Sequence, residues 1–143
     1  MAVLTLHLPG PPVPLPRPRA VRTPNGVRMY TPAKAAAYKL AIGKASWECA
    51  PEDPWEGPVR VHLCFKMPIP VSWPRWKRRA ACYGLHRPCV TPDLDNLIKS
   101  VLDGITDAAS WWADDRQVVE LSAVQWYAEA TGVRVTCSQL ITI

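Results

Sequence analysis

Apolar and polar residues alternate along four separate stretches of the chain, and this two-residue period is typical of half-buried β-strands. The stretches begin at Val3, Val59 and Gln117 and near Gly132. In the second stretch one face is predicted to be buried, which leaves His62 on the exposed face; the buried face consists of Val59, Val61, Leu63, Phe65 and Met67. The third stretch runs to Trp126, and its apolar side consists of Val119, Leu121 and Ala123. We therefore predict four strands.

Two further stretches repeat their apolar residues with the period of an α-helix. The first runs from about Pro32 to Glu48, with Thr31 as the predicted N-cap and Pro32 at the first helical position. The second lies in "TPDLDNLIKSVLDG", from Thr91 to Gly104. Its predicted core stripe consists of Leu94, Leu97, Ile98, Val101, Leu102 and Ile105. The predicted order of elements is β-α-β-α-β-β, which indicates an α/β (α+β) protein.

Two proline-rich segments interrupt this pattern. Eight prolines lie between Pro9 and Pro32, so this segment is predicted to be an extended basic loop with a turn at Asn25-Gly26. Residues 68–91 are also interrupted by prolines and are predicted to form a loop rather than a regular element. With 143 residues in total, we expect a single domain over 1–143.

Composition excludes some classes of protein. No apolar run approaches the roughly 18 residues of a membrane span, and "MAVLTLHLPG" lacks the basic start of a secretion signal, so we expect a cytoplasmic protein. Five scattered cysteines without a CxxC pair favour reduced thiols. Cys82, His86 and Cys89 offer three zinc ligands, but no obvious fourth lies nearby and structural zinc sites are closed by four. An incidental cluster is therefore favoured over a zinc site.

Charge is divided unevenly along the chain. Residues 1–92 contain 14 Lys or Arg and 4 Asp or Glu, whereas residues 93–143 contain 3 and 8. A basic surface favours a polyanionic partner such as nucleic acid, although charge alone is equally compatible with a merely soluble surface. In the basic segment 68–91, the cluster Lys77, Arg78 and Arg79 lies among tryptophans, a combination that suits contacts with phosphates and bases.

Carboxylates are concentrated where the basic part ends. Asp93 stands at the start of the second helix, where capping alone accounts for it. Capping does not account for Asp95, or for the pair Asp114 and Asp115 before the third strand. A helix start and a strand start that meet would give an oxygen-rich site suited to Mg²⁺ or Mn²⁺. Lys99, one turn after Asp95, could then stabilise charge on a phosphate, as metal-dependent phosphodiester hydrolysis requires. Spacing alone leaves capping and solvated acids open as alternatives.

The identities of the motif residues are more informative than their spacing alone. "PDLDNLIKSVLDG" followed by "WWADDRQVVEL" resembles the RusA family of Holliday junction resolvases, whose signature is PDLDNL-x-K-x-x-x-D and then DD-x-Q-V/I-V. Upstream, "RPRAVRTPNGVRMYTPAK" is similar to the family's basic RPR…G…YTP segment. The resemblance implies a RusA-like fold, with a small mixed β-sheet packed by two helices, and a homodimer that makes paired Mg²⁺-dependent nicks in four-way DNA junctions.

Carried onto this chain, the resemblance implies that Asp93, Asp95 and Asp115 bind the metal, with Asp114 a less certain neighbour, and that Lys99 is the essential lysine. Arg17, Arg19 and Arg28 fall in the basic segment expected near DNA. Two departures stand out: Thr91 replaces a residue that is often basic, and the Trp- and Cys-containing loop 68–91 is not explained by the family pattern.

A homodimer suits this substrate, because a two-fold dimer places two identical sites against two symmetry-related strands. Trp111, Trp112 and Leu140 are the candidates for its interface. Two other functions stay open: a non-catalytic DNA-binding module, and a nuclease that acts mainly on flaps and other branched DNA.

Overall fold

The computed structural model describes residues 2–16, 19–30 and 32–141. Arg17 and the predicted N-cap Thr31 lie outside this part of the chain. The described residues form nine helices and strands with the following bounds: β1 Val3–Pro9, β2 Arg19–Thr23, β3 Gly26–Tyr30, α1 Ala33–Glu48, β4 Val59–Pro68, α2 Arg75–Cys82, α3 Leu94–Ala108, β5 Val118–Ala128 and β6 Gly132–Gln139. A 3₁₀ turn, Asp115–Gln117, precedes β5.

The main sheet has four strands in the order β1-β6-β4-β5. β6 pairs antiparallel with both β1 and β4, whereas β4 and β5 are parallel neighbours. Parallel neighbours cannot be joined by a tight turn, so the chain returns from the end of β4 to the start of β5 through α2 and α3. The α/β class, the mixed sheet and the four predicted sheet strands are thereby confirmed.

β4 supplies the centre of the core, because alternate residues along it are buried. The face predicted from the sequence is the buried one, and His62 lies on the exposed face, where Nδ1 is 2.5 Å from the Ser122 hydroxyl. α3 likewise buries Leu97, Val101 and Ile105 from its predicted stripe. Within the described ranges, no helix is long and apolar enough to cross a membrane.

Helices α1 and α3 approach each other closely at two glycines. A Cβ atom added at Gly104 would lie 2.9 Å from the carbonyl oxygen of Lys39 and 2.9 Å from Cγ2 of Ile42. At Gly43, the nearest atoms would be Cβ of Ala108 at 3.1 Å and the carbonyl oxygen of Gly104 at 3.2 Å. The helix contact therefore requires a residue without a side chain at position 104.

Trp111 and Trp112 are fully buried. They precede the turn formed by Asp114 and the 3₁₀ residues Asp115–Gln117, which we call the DD turn. Nε1 of Trp111 donates to the carbonyl oxygen of Ser46, and Nε1 of Trp112 donates to Oγ1 of Thr106, at 2.9 and 2.8 Å. The prediction that Trp111 and Trp112 contribute to a dimer interface is wrong, because both rings pack inside a single chain and their polar atoms already have partners.

Two predicted loops contain regular structure. Residues 19–30 form the hairpin β2–β3 instead of an extended loop. Its turn is Pro24-Asn25, and Gly26 is the first residue of β3. The segment 68–91 contains the eight-residue helix α2. Strand β5 also departs from its predicted apolar face, because Val119 and Leu121 are exposed near the start of an edge strand.

Replacement of Gly104 tests the helix contact. We expect Gly104→Ala to lower the free energy of unfolding by about 1–3 kcal/mol, because the new methyl group overpacks against backbone and a β-branched side chain. Gly43→Ala is the matched variant, and its effect should be smaller because its contacts are longer and alanine favours the helix. Urea unfolding of both proteins measures the difference, and equal losses would contradict the asymmetry between the two positions.

Candidate functional site

The first turn of α3 presents two carboxylates to solvent. Asp93 is the N-cap residue and Asp95 lies in the first turn. The Asp93 side chain accepts no capping hydrogen bond, so capping does not occupy its carboxylate. Lys99 follows Asp95 by one turn and is also exposed. In the portion of the chain that the structure describes, none of these three side chains takes part in a hydrogen bond or ion pair (Lys39–Asp107, Arg60–Glu120 and Arg116–Asp114 are the ion pairs found).

Asp93 borders an open cavity of about 680 Å³ between the 87–94 segment and residues 123–125 of β5. Arg87 lines the same cavity. Its guanidinium lies 3.5 Å from the centre of the Trp126 ring, and its Nε donates to the carbonyl oxygen of Gln125 at 2.8 Å. A cation is thus held in place beside Asp93, where it can contact an anionic ligand of the cavity.

The two carboxylates of the DD turn differ in their surroundings. Asp114 caps the 3₁₀ turn, and its carboxylate accepts bonds from the backbone N–H of Arg116 at 2.8 Å and from the Arg116 guanidinium at 2.9 and 3.1 Å. These bonds lower the pKa of Asp114 below its usual range. Asp115 is exposed and has no such partner among the described residues. The structure therefore accounts for Asp114 as a cap and leaves Asp115 available.

Gln117 fixes this turn to the rest of the protein. Its Oε1 accepts from the backbone N–H groups of Ala113 and Asp114 at 3.0 and 3.1 Å. Its Nε2 donates to the carbonyl oxygens of Trp55 and Gly57 at 2.7 and 3.0 Å. One side chain with four hydrogen bonds thus holds the backbone from which Asp115 projects.

Within one chain, Asp115 and the head of α3 lie beside different parts of β5. Asp93 borders residues 123–125, whereas Asp115 precedes the start of β5 at Val118. Six residues of strand from 118 to 124 span about 20 Å. Accordingly, in ranges 2–16, 19–30 and 32–141 no group of three or more His, Cys, Asp or Glu side chains is placed to hold a metal ion. The expected meeting of helix start and strand start does not occur inside a single chain.

Asp103 lies closer to Asp115 and was not among the predicted site residues. Partial burial raises the pKa of Asp103 above its usual range, Lys39 opposes this, and the charges of Asp107 and Asp115 add to it. Asp103 stands eight residues after Asp95, about 12 Å along the helix axis. The negative charge of Asp115 therefore acts on the second half of α3.

The chemistry of the carboxylates nevertheless fits a hard divalent cation. Asp93, Asp95 and Asp115 offer oxygen donors of the kind that Mg²⁺ prefers, and no protein cation neutralises them in the described structure. Exposed acids that are held in a rigid turn and a helix start, without partners, can accept a metal with little rearrangement of the backbone.

Basic residues flank the head of α3 on two sides. The N-terminal segment reaches it where the backbone N–H of Leu15 donates to the carbonyl oxygen of Asn96 at 3.1 Å. This segment leads to the hairpin, which carries Arg19 on β2 and an exposed Arg28 on β3. On the other side, segment 87–94 leads back from the head of α3 to α2, which carries Lys77, Arg78 and Arg79. The predicted DNA-binding residues that the structure describes thus belong to two separate elements; Arg17 is outside the described residues.

Two of the α2 cations have protein partners. Nζ of Lys77 lies 4.0 Å from the centre of the Trp73 ring, and Arg78 donates to the carbonyl oxygen of Pro70 at 3.0 Å. His86, which with Cys82 and Cys89 is predicted to form an incidental cluster rather than a zinc site, packs edge-on against Trp73. Since no metal-binding group is found in the described ranges, the structure gives no support to zinc there.

Two residues near the site were missed from the sequence. Gln117 had a signal, because Asp-x-x-Gln at 114–117 is the pattern of a capping box, which the structure forms. Arg87 had none beyond its charge, since its position depends on stacking against Trp126 from a distant strand.

Removal of the Gln117 side chain tests its role in holding the DD turn. We expect Gln117→Ala to lower the free energy of unfolding by about 1–3 kcal/mol, because it leaves backbone groups without partners. Arg116→Ala is the matched control in the same turn and should lower the free energy of unfolding much less, because this ion pair is solvent-exposed. Urea unfolding distinguishes the two, and equal effects would exclude a special role for Gln117.

Comparison with known proteins agrees with the motif evidence. Residues 9–138 match the family described as Endodeoxyribonuclease RusA. The chain is also 34% identical over 128 residues to a Bacillus subtilis (strain 168) protein described as uncharacterized protein YqaN, covering 88% of this chain and 89% of that protein. A match of this length shows the family, so the chain belongs to the RusA endodeoxyribonuclease family.

Proposed function

We propose that this protein is a Mg²⁺-dependent endonuclease that resolves four-way DNA junctions by paired nicks. The observation that carries the proposal is the head of α3, where Asp93 and Asp95 stand exposed with Lys99 one turn later, in a chain of the RusA family. A role in capping or in an ion pair would give these side chains partners, and the described residues provide none. Unpaired acids in a basic chain are better explained by a metal-dependent phosphodiesterase.

Each residue has a distinct proposed role. Asp93, Asp95 and Asp115 hold Mg²⁺, for which Mn²⁺ can substitute. When bound, the ion polarises the phosphoryl oxygen and lowers the pKa of attacking water. Lys99 stabilises negative charge on the phosphate from the open face of α3. The basic hairpin and α2 hold the DNA backbone by contacts that weaken with salt.

We further propose that the site is shared between two chains of a homodimer. The roughly 20 Å of strand between the two groups of acids in one chain supports this arrangement, because a second copy can supply the missing carboxylate. The first part of β5 offers a surface for that copy, since it is the edge of the sheet and Val119 and Leu121 are exposed on it. Exposed apolar edge strands readily pair with another chain.

The direction of such pairing agrees with the position of the acids. A two-fold axis can pair two copies of the same strand antiparallel. In such a pair, the numbers of any two residues that lie opposite each other add up to the same constant. An axis between Val119 and Leu121 sets Asp115 of one copy opposite residues 123–127 of the other. Residues 123–125 border the cavity that contains Asp93. The same contact would build two sites at once, one for each opposed strand of a junction.

Cleavage of three DNA substrates tests the proposed activity. We expect Mg²⁺-dependent nicking of a synthetic four-way junction, weaker cutting of a flap, and none of linear duplex. Asp95→Asn should bind the junction but cut it at least about 100-fold more slowly, a loss at or above that seen for residues that only support metal ligands. Asp107→Asn is the matched control, an exposed aspartate of the same helix paired with Lys39.

Three outcomes would contradict the activity. Undiminished cutting in excess EDTA would exclude the metal, and preferred cutting of the flap would move the assignment to a general branched-DNA nuclease. Salt-sensitive binding of the junction without any metal-dependent nick would identify a non-catalytic DNA-binding module.

Mixing two inactive variants tests the shared site. If Asp95 and Asp115 act from different chains, a heterodimer of Asp95→Asn and Asp115→Asn contains one site with both residues intact. We expect the mixture to nick one strand of the junction although each variant alone is inactive. If each site lay within one chain, both sites of the heterodimer would lack a carboxylate, and the mixture would stay as inactive as its components.

A further inference from the structure

Helix α2 has two unlike faces. Ala81 is buried and Lys77 covers the Trp73 ring, so these residues fix the helix to the protein. The opposite face presents Arg75, Trp76 and Arg79, which together line a cavity of about 420 Å³. Trp76 is 67% exposed in the middle of this face. The sequence of α2 contains four cations and no acidic residue.

This helix is connected to the candidate metal-binding end of α3 through His86 and Arg87. The ring of Trp76 lies 6.2 Å from that of His86, edge-on. The next residue, Arg87, lines the cavity that Asp93 also borders. The segment that links the exposed face of α2 to Asp93 is anchored by Arg87 on Trp126. Under the branched-DNA function proposed above, we expect a strand bound at Asp93 to reach this face.

We propose that Trp76 stacks on a base exposed at the branch point of the DNA, with Arg75 and Arg79 on the flanking phosphates. Bases at a branch point have a free face that bases within a duplex lack. Aromatic side chains bind such faces regardless of sequence, and neighbouring cations hold the backbone. An exposed indole flanked by arginines has the chemistry for this ligand, because DNA offers a base to the ring and phosphates to the arginines. An apolar protein partner could cover the ring but would leave the arginines unpaired.

This assignment makes Trp76 a determinant of substrate shape, and it rests on the branched-DNA function proposed above. It also separates the tryptophans of residues 68–91. Trp73 is partly buried and packs edge-on against Tyr127 at 5.1 Å, so it belongs to the core. Trp76 makes no comparable core contact in the described structure. Only the second is free to receive a base.

Binding measurements in EDTA test the proposal without strand cutting. We expect Trp76→Ala to weaken binding of a four-way junction about 10-fold, the loss of one stacked base, and that of linear duplex less than 2-fold. Trp76→Phe should restore most of the junction affinity. Trp47→Ala is the matched control, a 56% exposed tryptophan on α1, and should leave both affinities unchanged.

Photocrosslinking locates the contact independently. A junction with 5-iodouracil at the branch point should crosslink to the peptide that contains Trp76, and the crosslink should disappear in Trp76→Ala. An unchanged ratio of junction to duplex affinity, or a crosslink that maps elsewhere, would overturn the assignment. If the wild-type protein crosslinks through Trp76 but never nicks the junction with Mg²⁺, the stacking role stands and the nuclease activity fails. If the protein nicks the junction normally but does not crosslink through Trp76, the nuclease activity stands and the stacking role fails.

Discussion

The parallel pairing of β4 with β5 is the constraint on which the candidate site depends. Parallel neighbours require a crossover, and α3 therefore runs back along the sheet before β5 can begin. The DD turn consequently lies at the start of β5, whereas the head of α3 lies beside residues 123–125 in the middle of this strand. The separation of the two groups of acids along β5 follows from this topology rather than from side-chain conformation, and it is the basis of the shared site proposed above.

The end of the crossover, between α3 and the start of β5, is held in place by buried polar contacts. Trp111 and Trp112 fill the space beneath the DD turn, and the backbone N–H of Trp55 donates to the carbonyl oxygen of Trp111 at 2.8 Å. Gln117 then joins the turn to the same 55–57 segment. These contacts reach back to α1 through Ser46, which accepts the indole N–H of Trp111. Asp115 thus projects from a rigid frame, and a carboxylate held in this way loses little entropy when it binds a metal.

Sequence periodicity predicted the parts of the fold that bury one face. β4 and α3 follow their patterns because their apolar sides meet the core directly. The hairpin and α2 were missed because they lie outside that core: prolines and charges dominate both, and their shape depends on turn geometry and on contacts such as Lys77 with Trp73. The tryptophans before the DD turn were misassigned for a related reason, since no local pattern shows that Ser46 and Thr106 satisfy their indoles.

The sequence indicated which residues belong to the candidate site, but not where these residues lie relative to one another. The motif identified Asp95 and Lys99 because their helical spacing is local, whereas the difference between Asp114 and Asp115 arises only when the turn folds and Arg116 takes up one carboxylate. Exposed like charges repel each other, and a basic chain has cations enough to neutralise them. That Arg116 pairs with Asp114 while Lys99 stays apart from Asp95 leaves negative charge at both ends of α3. A divalent cation, bound as in the proposed function, would neutralise these acids and allow the anionic DNA backbone to approach them.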